Sequence, residues 1–147
     1  MIAAKLLLAI GGSFDDAISV QFDFTKIGKV SLEGGKLRLP KAPEVPGIYR
    51  FKIREKIYVG ETDQLGRRFQ HYRTPGPSQP TNIRLNGSIT AALSEGFEVE
   101  VSTIEAATIL IEGVTSPLDL SRKSSRLLVE SAVLSSAHLS GQSVENL

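Results

Sequence analysis

Alternating hydrophobic and polar residues predict β structure in the first third of the chain. In residues 17–40, Ile18, Val20 and Phe22 are separated by polar positions, which is typical of a strand with one buried face. The stretch KVSLEGGKLRLP that follows predicts a hairpin, because a Glu-Gly-Gly segment at residues 33–35 separates two short runs with the same alternation.

Residues 47–53 and 56–61 predict a second, tighter hairpin that turns through an Arg-Glu pair. With a two-residue turn, Tyr49 faces Gly60 across the ladder. Side chains alternate along a strand, so Tyr49 and Tyr58 are expected on the same face of the sheet. Since Gly60 has no side chain, there should be room above the sheet beside Tyr49.

Helical periodicity begins directly after this hairpin. The first helix has an apolar stripe of Leu65, Phe69 and Tyr72, and Arg68 lies at the edge of that stripe next to Tyr72. The pattern farther along predicts a helix over residues 83–95, a strand over 97–104, a short helix over 105–112 and a long helix over 120–139.

Glu130 interrupts the apolar stripe of the long helix, which contains Leu127, Leu134 and Ala137. A carboxylate buried there is costly unless it meets a cation or a metal ion. An ion pair with Arg126, four residues earlier, is the plain alternative to a functional role.

The composition is that of one ordinary folded domain, with 147 residues of which 41% are hydrophobic and 22% charged. The absence of cysteine excludes disulfides, thiolate zinc sites and cysteine nucleophiles, and it fits a reducing compartment such as the cytoplasm. Residues 1–10 predict a first helix, with a strand as the alternative, because the apolar run is too short for a convincing signal peptide and no cleavage site follows it. No uncharged run approaches the roughly 18 residues that a membrane helix needs.

The positive charge is concentrated in the middle of the chain. Residues 41–73 contain eight basic and four acidic residues, whereas residues 74–147 contain four basic and eight acidic ones. Clustered Lys and Arg suit a polyanionic partner, although a solvated basic surface has the same composition.

These residues together resemble the GIY-YIG nuclease family, from about residue 46 to residue 146. The namesake tripeptides are Gly47-Ile48-Tyr49 and Tyr58-Val59-Gly60, and either one alone would be a weak signal. The ordered set is more specific, since the two tripeptides are followed by Arg68, Tyr72, Glu130 and Asn146.

The resemblance implies an α/β (α+β) sandwich in which helices flank a three-stranded antiparallel sheet. The strands predicted at residues 47–53, 56–61 and 97–104 suit that architecture. Residues 46–147 would then be the nuclease domain, and residues 1–45 an N-terminal extension, a predicted helix plus a β-hairpin, packed on this core.

The resemblance also implies an endonuclease that hydrolyses phosphodiester bonds in DNA with one divalent metal ion, Mg²⁺ or Mn²⁺. Glu130 would be the metal ligand and the guanidinium of Arg68 would contact the phosphate. Tyr49 is the candidate general base, and it needs a cationic setting because the pKa of a free phenol is about 10.

Three further residues complete the implied site. Tyr58 and Tyr72 would orient the attacking water and hydrogen-bond a phosphate, and Asn146 would hold the metal site or Glu130. Some members of the family have a histidine in the loop after the first helix. Residues 74–82 contain none, which favours a tyrosine base over an imidazole.

The alternative is a module that binds nucleic acid or takes part in an assembly without catalysis, since a fold does not establish an activity. The joint presence of Tyr49, Arg68 and Glu130 favours the enzyme. The enzyme requires these side chains to meet in one open basic groove, whereas a Glu130 turned into the core or paired only with Arg126 favours the module. RNA as a substrate and a homodimer or accessory protein that supplies specificity stay open, and nothing in the sequence indicates a membrane partner.

Overall fold

The computed structural model describes the backbone of residues 2–9 and 17–147 and the side chains from residue 18 onward. It is an α+β fold with a mixed sheet. The strands are β1 (Ile2–Ala9), β2 (Ala17–Lys29), β3 (Ser31–Glu33), β4 (Lys36–Arg38), β5 (Gly47–Ile53), β6 (Lys56–Thr62), β7 (Val99–Ile104), β8 (Ala107–Ile111), β9 (Val114–Pro117) and β10 (Ser143–Asn146). The helices are α1 (Leu65–Arg73), α2 (Pro80–Ser94) and α3 (Lys123–Leu139).

The central part of the sheet confirms the predicted strands. The order is β10-β6-β5-β7-β2-β8-β9, and β1 also pairs with β2. Strands β6, β5 and β7 are antiparallel neighbours, and Tyr49 lies opposite Gly60 as predicted. The sheet is larger than the three-stranded sheet that the resemblance implies, because β10 adds a parallel strand at one edge and four strands extend the other.

The helix predicted for residues 1–10 is wrong. Residues 2–9 form β1, which runs antiparallel to the first part of β2 with Ile2 opposite Phe24 and Ala9 opposite Ala17. A run of Ala and Leu favours a helix by local propensity. Pairing with β2 overrides that preference here, because the ladder satisfies backbone groups of β1.

The short helix predicted for residues 105–112 is also wrong. This segment contains β8, which pairs with β2 and turns through Glu112 and Gly113 into β9. Both turn residues have positive φ, 49° and 78°, which suits a tight hairpin turn. The β-branched Thr108 and Ile111 favour an extended backbone as well.

Before position 46, β1 and β2 belong to the main sheet, whereas β3 and β4 form a separate two-stranded sheet. The second half of β2 pairs with β7 around an irregularity between Lys26 and Gly28. The predicted N-terminal hairpin forms as β3 and β4 and turns through Gly34 and Gly35. The domain boundary at residue 46 stays a prediction.

Two hydrophobic layers lie on opposite faces of the sheet. The layer under α1, α2 and the β3–β4 hairpin includes Tyr49, Phe51, Leu65, Phe69, Tyr72, Leu85 and Ile89. The layer under α3 includes Phe22, Phe24, Ile48, Ile57, Val59, Val129 and Val133. Consecutive residues of β5 therefore serve opposite layers, as the period of two requires. Within the described residues, no helix is both long and apolar enough to cross a membrane.

The long predicted helix forms as α3, but its buried face is rotated from the predicted stripe. Leu127 is 43% exposed, whereas Arg126, Val129 and Val133 are buried. Glu130 is buried as its place in the stripe predicts, with 6% of its surface exposed. Two charged side chains one turn apart thus occupy the face that packs on the sheet.

Candidate active site

Tyr49 on β5 and Tyr72 on α1 form a buried hydrogen-bonded pair. Their hydroxyl oxygens are 2.6 Å apart, and each residue is 1% exposed. The Tyr49 ring also lies edge-on against Phe51 and Phe69. Gly60 makes this arrangement possible, since a Cβ at that position would overlap the Tyr49 hydroxyl. The gap that the sequence predicts beside Tyr49 is therefore filled by the phenol itself.

Helix α1 brings Arg68 to the same place as Tyr72. The helix begins after Gln64, whose side-chain oxygen accepts a hydrogen bond from the backbone amide of Arg67. At its other end, the side-chain amide of Asn86 on α2 donates to the carbonyl oxygen of Tyr72 at 2.8 Å. Arg68 is half-buried, and its charge lowers the pKa of both phenols in part.

Burial keeps both phenols protonated at neutral pH. It is the largest cause that raises the pKa of Tyr49 well above its ordinary value, and the neighbouring Tyr72 adds to that effect. Burial also raises the pKa of Tyr72, although the hydrogen bond from Tyr49 and the charge of Arg68 lower it in part. A phenolate in this pair therefore needs more positive charge nearby than Arg68 alone provides.

Glu130 reaches the site from the opposite face of the sheet. Burial is the main cause that raises the pKa of its carboxyl, followed by the negative charge of Glu61, while Asn146 and Lys123 lower it in part. In the part of the chain that the structure describes, the Oε2 atom of Glu130 is buried and has no hydrogen-bond partner. A buried carboxylate oxygen with no partner is costly, so Glu130 is a candidate for binding a cation.

The ion pair predicted as the alternative for Glu130 does not form. Arg126 instead donates from Nε to Glu61 at 2.6 Å, and from its terminal nitrogen to the carbonyl oxygens of Leu120 and Ser121 at 3.0 and 3.1 Å. The Arg126 and Glu61 side chains are only 7% and 17% exposed. The pair therefore joins the end of β6 to the start of α3, one helical turn before Glu130.

The ion pair between Glu61 and Arg126 is not predicted by the sequence patterns. The two residues are 65 positions apart, so no local spacing relates them. Two signals were present, since Glu61 directly follows Gly60, and Arg126 shares a helix face with Glu130.

Strand β10 places Asn146 near Glu130. It runs parallel to β6 with Asn146 opposite Val59, and the Asn146 side chain is close enough to lower the pKa of Glu130. Tyr58 lies on the Tyr49 face of the sheet as predicted, but it is half-buried beside Lys56, whose Nζ is 5.1 Å from the ring centroid. Tyr58 is thus a neighbour of the site rather than a member of the hydrogen-bonded phenol pair.

Tyr49 and Glu130 are buried, at 1% and 6% exposure, so the open basic groove that the enzyme hypothesis predicts is not seen at these two side chains. The pKa of Tyr49 responds to the charges of both Arg68 and Glu130, which arrive from different helices. A phenol can exchange a proton, a guanidinium can bind a phosphate, and a carboxylate can bind a cation. These are the groups that phosphodiester hydrolysis needs.

Glu130 fits a hard divalent cation. Among the described residues there is no cluster of three or more His, Asp or Glu side chains that could bind a metal ion. Mg²⁺ and its analogues often use one or two carboxylates, with water and substrate oxygens as the remaining ligands. The free oxygen of Glu130 and the amide oxygen of the adjacent Asn146 suit that kind of site.

The fold is similar to that of a known phage protein. A solved structure of a mutant of bacteriophage T4 EndoII matches with a TM-score of 0.51 and 23% sequence identity, over 81% of this chain and 89% of that one. No family model matches the sequence, and the search of curated proteins finds no match. At this level of identity the likeness concerns the fold.

Proposed function

We propose that this protein is a divalent-metal-dependent endonuclease of the GIY-YIG type that hydrolyses phosphodiester bonds in DNA. One observation carries the proposal: Glu130 has a buried carboxylate oxygen with no partner in the described chain, and its charge acts on the pKa of Tyr49, which is hydrogen-bonded to Tyr72. The fold likeness to a phage endonuclease supports it.

Arg68 is the phosphate-binding residue in this proposal. It makes no ion pair within the described residues, so its guanidinium is available to two phosphate oxygens. Its position beside both phenols places a bound phosphate next to Tyr49 and Tyr72. Tyr72 then has two roles, because it hydrogen-bonds to Tyr49 and orients the reacting groups. Tyr58, which lies beside the phenol pair, contacts the substrate.

Tyr49 accepts the proton of the attacking water. Its hydrogen bond with Tyr72 holds the Tyr49 hydroxyl in place. Glu130 and Asn146 would hold the divalent cation, which would supply charge stabilisation at the phosphate and the leaving oxygen and positive charge that lowers the pKa of Tyr49.

Glu61 and Arg126 position Glu130. The buried pair fixes the start of α3 against β6, and Arg126 neutralises a carboxylate that would otherwise repel Glu130. Residues that act through a metal ligand in this way typically contribute about 10- to 100-fold in metal affinity or activity.

The test is cleavage of supercoiled plasmid, branched DNA, single-stranded DNA and RNA, with Mg²⁺, with Mn²⁺ and with EDTA. Wild type should cut DNA only with metal, and Glu130→Gln should lose about 10³-fold, since a metal supplies several kcal/mol of transition-state stabilisation. Glu98→Gln, which removes a glutamate from an exposed ion pair, is the matched control and should cut normally.

Two results would overturn the proposal. Wild type that binds DNA but never cuts it would indicate a non-catalytic binding module. Cutting that Glu130→Gln retains would mean that the carboxylate does not bind the metal ion.

A further inference from the structure

A groove lies between the linker that precedes β5 and helix α1. Residues 39–44 of the linker form one wall, α1 forms the other, and the volume between them is about 880 Å³. The charged and titratable side chains that line it are Lys41, Arg67, His71, Arg73 and one acidic residue, Glu44. The groove is therefore basic. Its linker wall, residues 39–44, lies outside the region that resembles a nuclease.

The two walls are fastened to each other at the beginning of α1. The backbone amide of Leu65 donates to the carbonyl oxygen of Val45 at 2.9 Å, and the amide of Gly66 donates to that of Pro43 at 3.2 Å. The linker passes so close to Gly66 that a Cβ there would lie 3.2 Å from the carbonyl oxygen of Ala42. The groove is thus formed before any ligand arrives, which reduces the entropy cost of binding.

Two of the cations in the groove have no internal partner. Arg67 forms an ion pair with Asp63, 2.6 Å between nitrogen and oxygen. Lys41 and Arg73 are exposed, stand on opposite walls, and make no ion pair within residues 18–147. Two free cations that face each other across a groove suit a ligand with repeated negative charges.

The groove also adjoins the candidate active site. Phe69 lines it, and the same ring lies edge-on against Tyr49, 5.9 Å between centroids. Arg68 lies between Arg67 and Phe69 on α1. Arg68 is not among the residues that line the groove, but its neighbours Arg67 and Phe69 are, so DNA in the groove would lie along the helix that carries Arg68.

We propose that this groove binds the sugar–phosphate backbone of DNA next to the bond that is cut, with Lys41 and Arg73 as its phosphate contacts. The proposal rests on the proposed function. It assigns substrate binding to the linker of the N-terminal region as well as to α1. Leu39, Pro40 and Pro43 offer apolar contacts to the sugars between those two cations.

The experiment measures binding of a fluorescent DNA duplex in EDTA, so that nothing is cut, over a range of salt concentrations. Lys41→Ala with Arg73→Ala should weaken binding about 30-fold at 0.15 M salt and reduce the slope of log K against log salt by about 1.8, because each phosphate contact contributes about 0.9. Lys41→Arg with Arg73→Lys should retain both values. Lys52→Ala with Arg122→Ala removes the same charge from exposed positions outside the groove and should change binding little.

Cleavage by wild type separates this proposal from the proposed function. If wild type cuts DNA with metal but the Lys41 and Arg73 variant keeps the wild-type affinity and salt slope, the groove proposal alone is overturned. An equal loss in the Lys52 and Arg122 control also overturns it, since net charge would then explain the effect. Wild type that neither binds nor cuts DNA overturns both proposals.

Discussion

The two faces of the sheet contribute to the candidate site in different ways. On the face under α1 and α2, Tyr49 and Tyr72 are held by ring packing and by a hydrogen bond to each other. On the face under α3, Glu61 and Arg126 are held by a nearly buried ion pair, and Glu130 has a free oxygen. The first face thus supplies the two phenols, with Arg68 on α1, and the second supplies a buried ion pair and Glu130.

The two faces therefore affect the stability of the fold in different ways. Aromatic pairs and a satisfied hydrogen bond between phenols stabilise the fold while they orient the hydroxyls. A buried carboxylate without a partner destabilises it, and burial raises the pKa of Glu130 for that reason. Packing accounts for the rings, whereas no hydrogen bond within the described residues accounts for the buried Oε2 atom of Glu130.

The largest effect on the ring face is expected from Tyr49→Phe. It should reduce the cleavage rate by about 10²- to 10⁴-fold, the usual contribution of a general base. Because the pKa of Tyr49 is raised in the protein alone, the wild-type rate should rise about tenfold per pH unit from neutral toward alkaline pH. The rate of single-turnover cleavage, measured as a function of pH, tests both the loss of rate in Tyr49→Phe and the pH dependence of wild type.

Tyr72→Phe is the matched control for this experiment. It removes a neighbour that raises the pKa of Tyr49 but leaves the base, so the rise in rate with pH should persist and begin at lower pH. If the rise in cleavage rate with pH survives in Tyr49→Phe and disappears in Tyr72→Phe, the general base is Tyr72 instead.

A smaller effect is expected on the charged face from Arg126→Gln. Mn²⁺ affinity, measured by calorimetry, should fall about 10- to 100-fold, and the free energy of unfolding should fall by about 3 kcal/mol because Glu61 is left without its partner. Arg126→Lys should retain part of the metal affinity. Arg122→Gln breaks an exposed pair with Asp119 on the same end of α3, and it should cost less than about 1 kcal/mol and leave metal affinity unchanged.

If Arg126→Gln loses stability but binds Mn²⁺ with wild-type affinity, the pair only stabilises the fold. The contrast between a face of rings and a face of functional charges would then reduce to Glu130 alone.

The smallest effect is expected from a methyl group added at Gly60, next to the Tyr49 hydroxyl. Gly60→Ala places a Cβ against the Tyr49 hydroxyl and should cost about 1–3 kcal/mol in urea unfolding, as overpacking does. Gly87→Ala in α2 is the control, because a Cβ there meets no atom within 4 Å and should stabilise the helix by about 0.5–1 kcal/mol. A neutral Gly60→Ala would mean that the close approach of Tyr49 is not required.

The sequence predicts the ring face better than the charged face. The register of Tyr49 and Gly60 follows from a two-residue turn, and Tyr72 and Arg68 follow from helical spacing, so short-range rules suffice. The Glu61–Arg126 pair depends on how α3 packs on β6, 65 positions away, and periodicity within α3 placed Leu127 on the wrong side.

Strands at the far edge of the sheet were missed for a related reason. β1 and β8 both pair with β2, and these ladders override a local preference for helix. The positive φ of Glu112 and Gly113 shows that the Glu-Gly dipeptide marked a hairpin turn.

The most direct test of the central claim is a double-mutant cycle across the two faces. Single-turnover cleavage of DNA with Mn²⁺ would be compared for wild type, Tyr49→Phe, Glu130→Gln and the double variant. If the phenol and the carboxylate serve one reaction centre, the double variant should lose little more activity than the more damaged single variant. Losses that multiply would show two independent contributions and contradict a site built jointly from both faces.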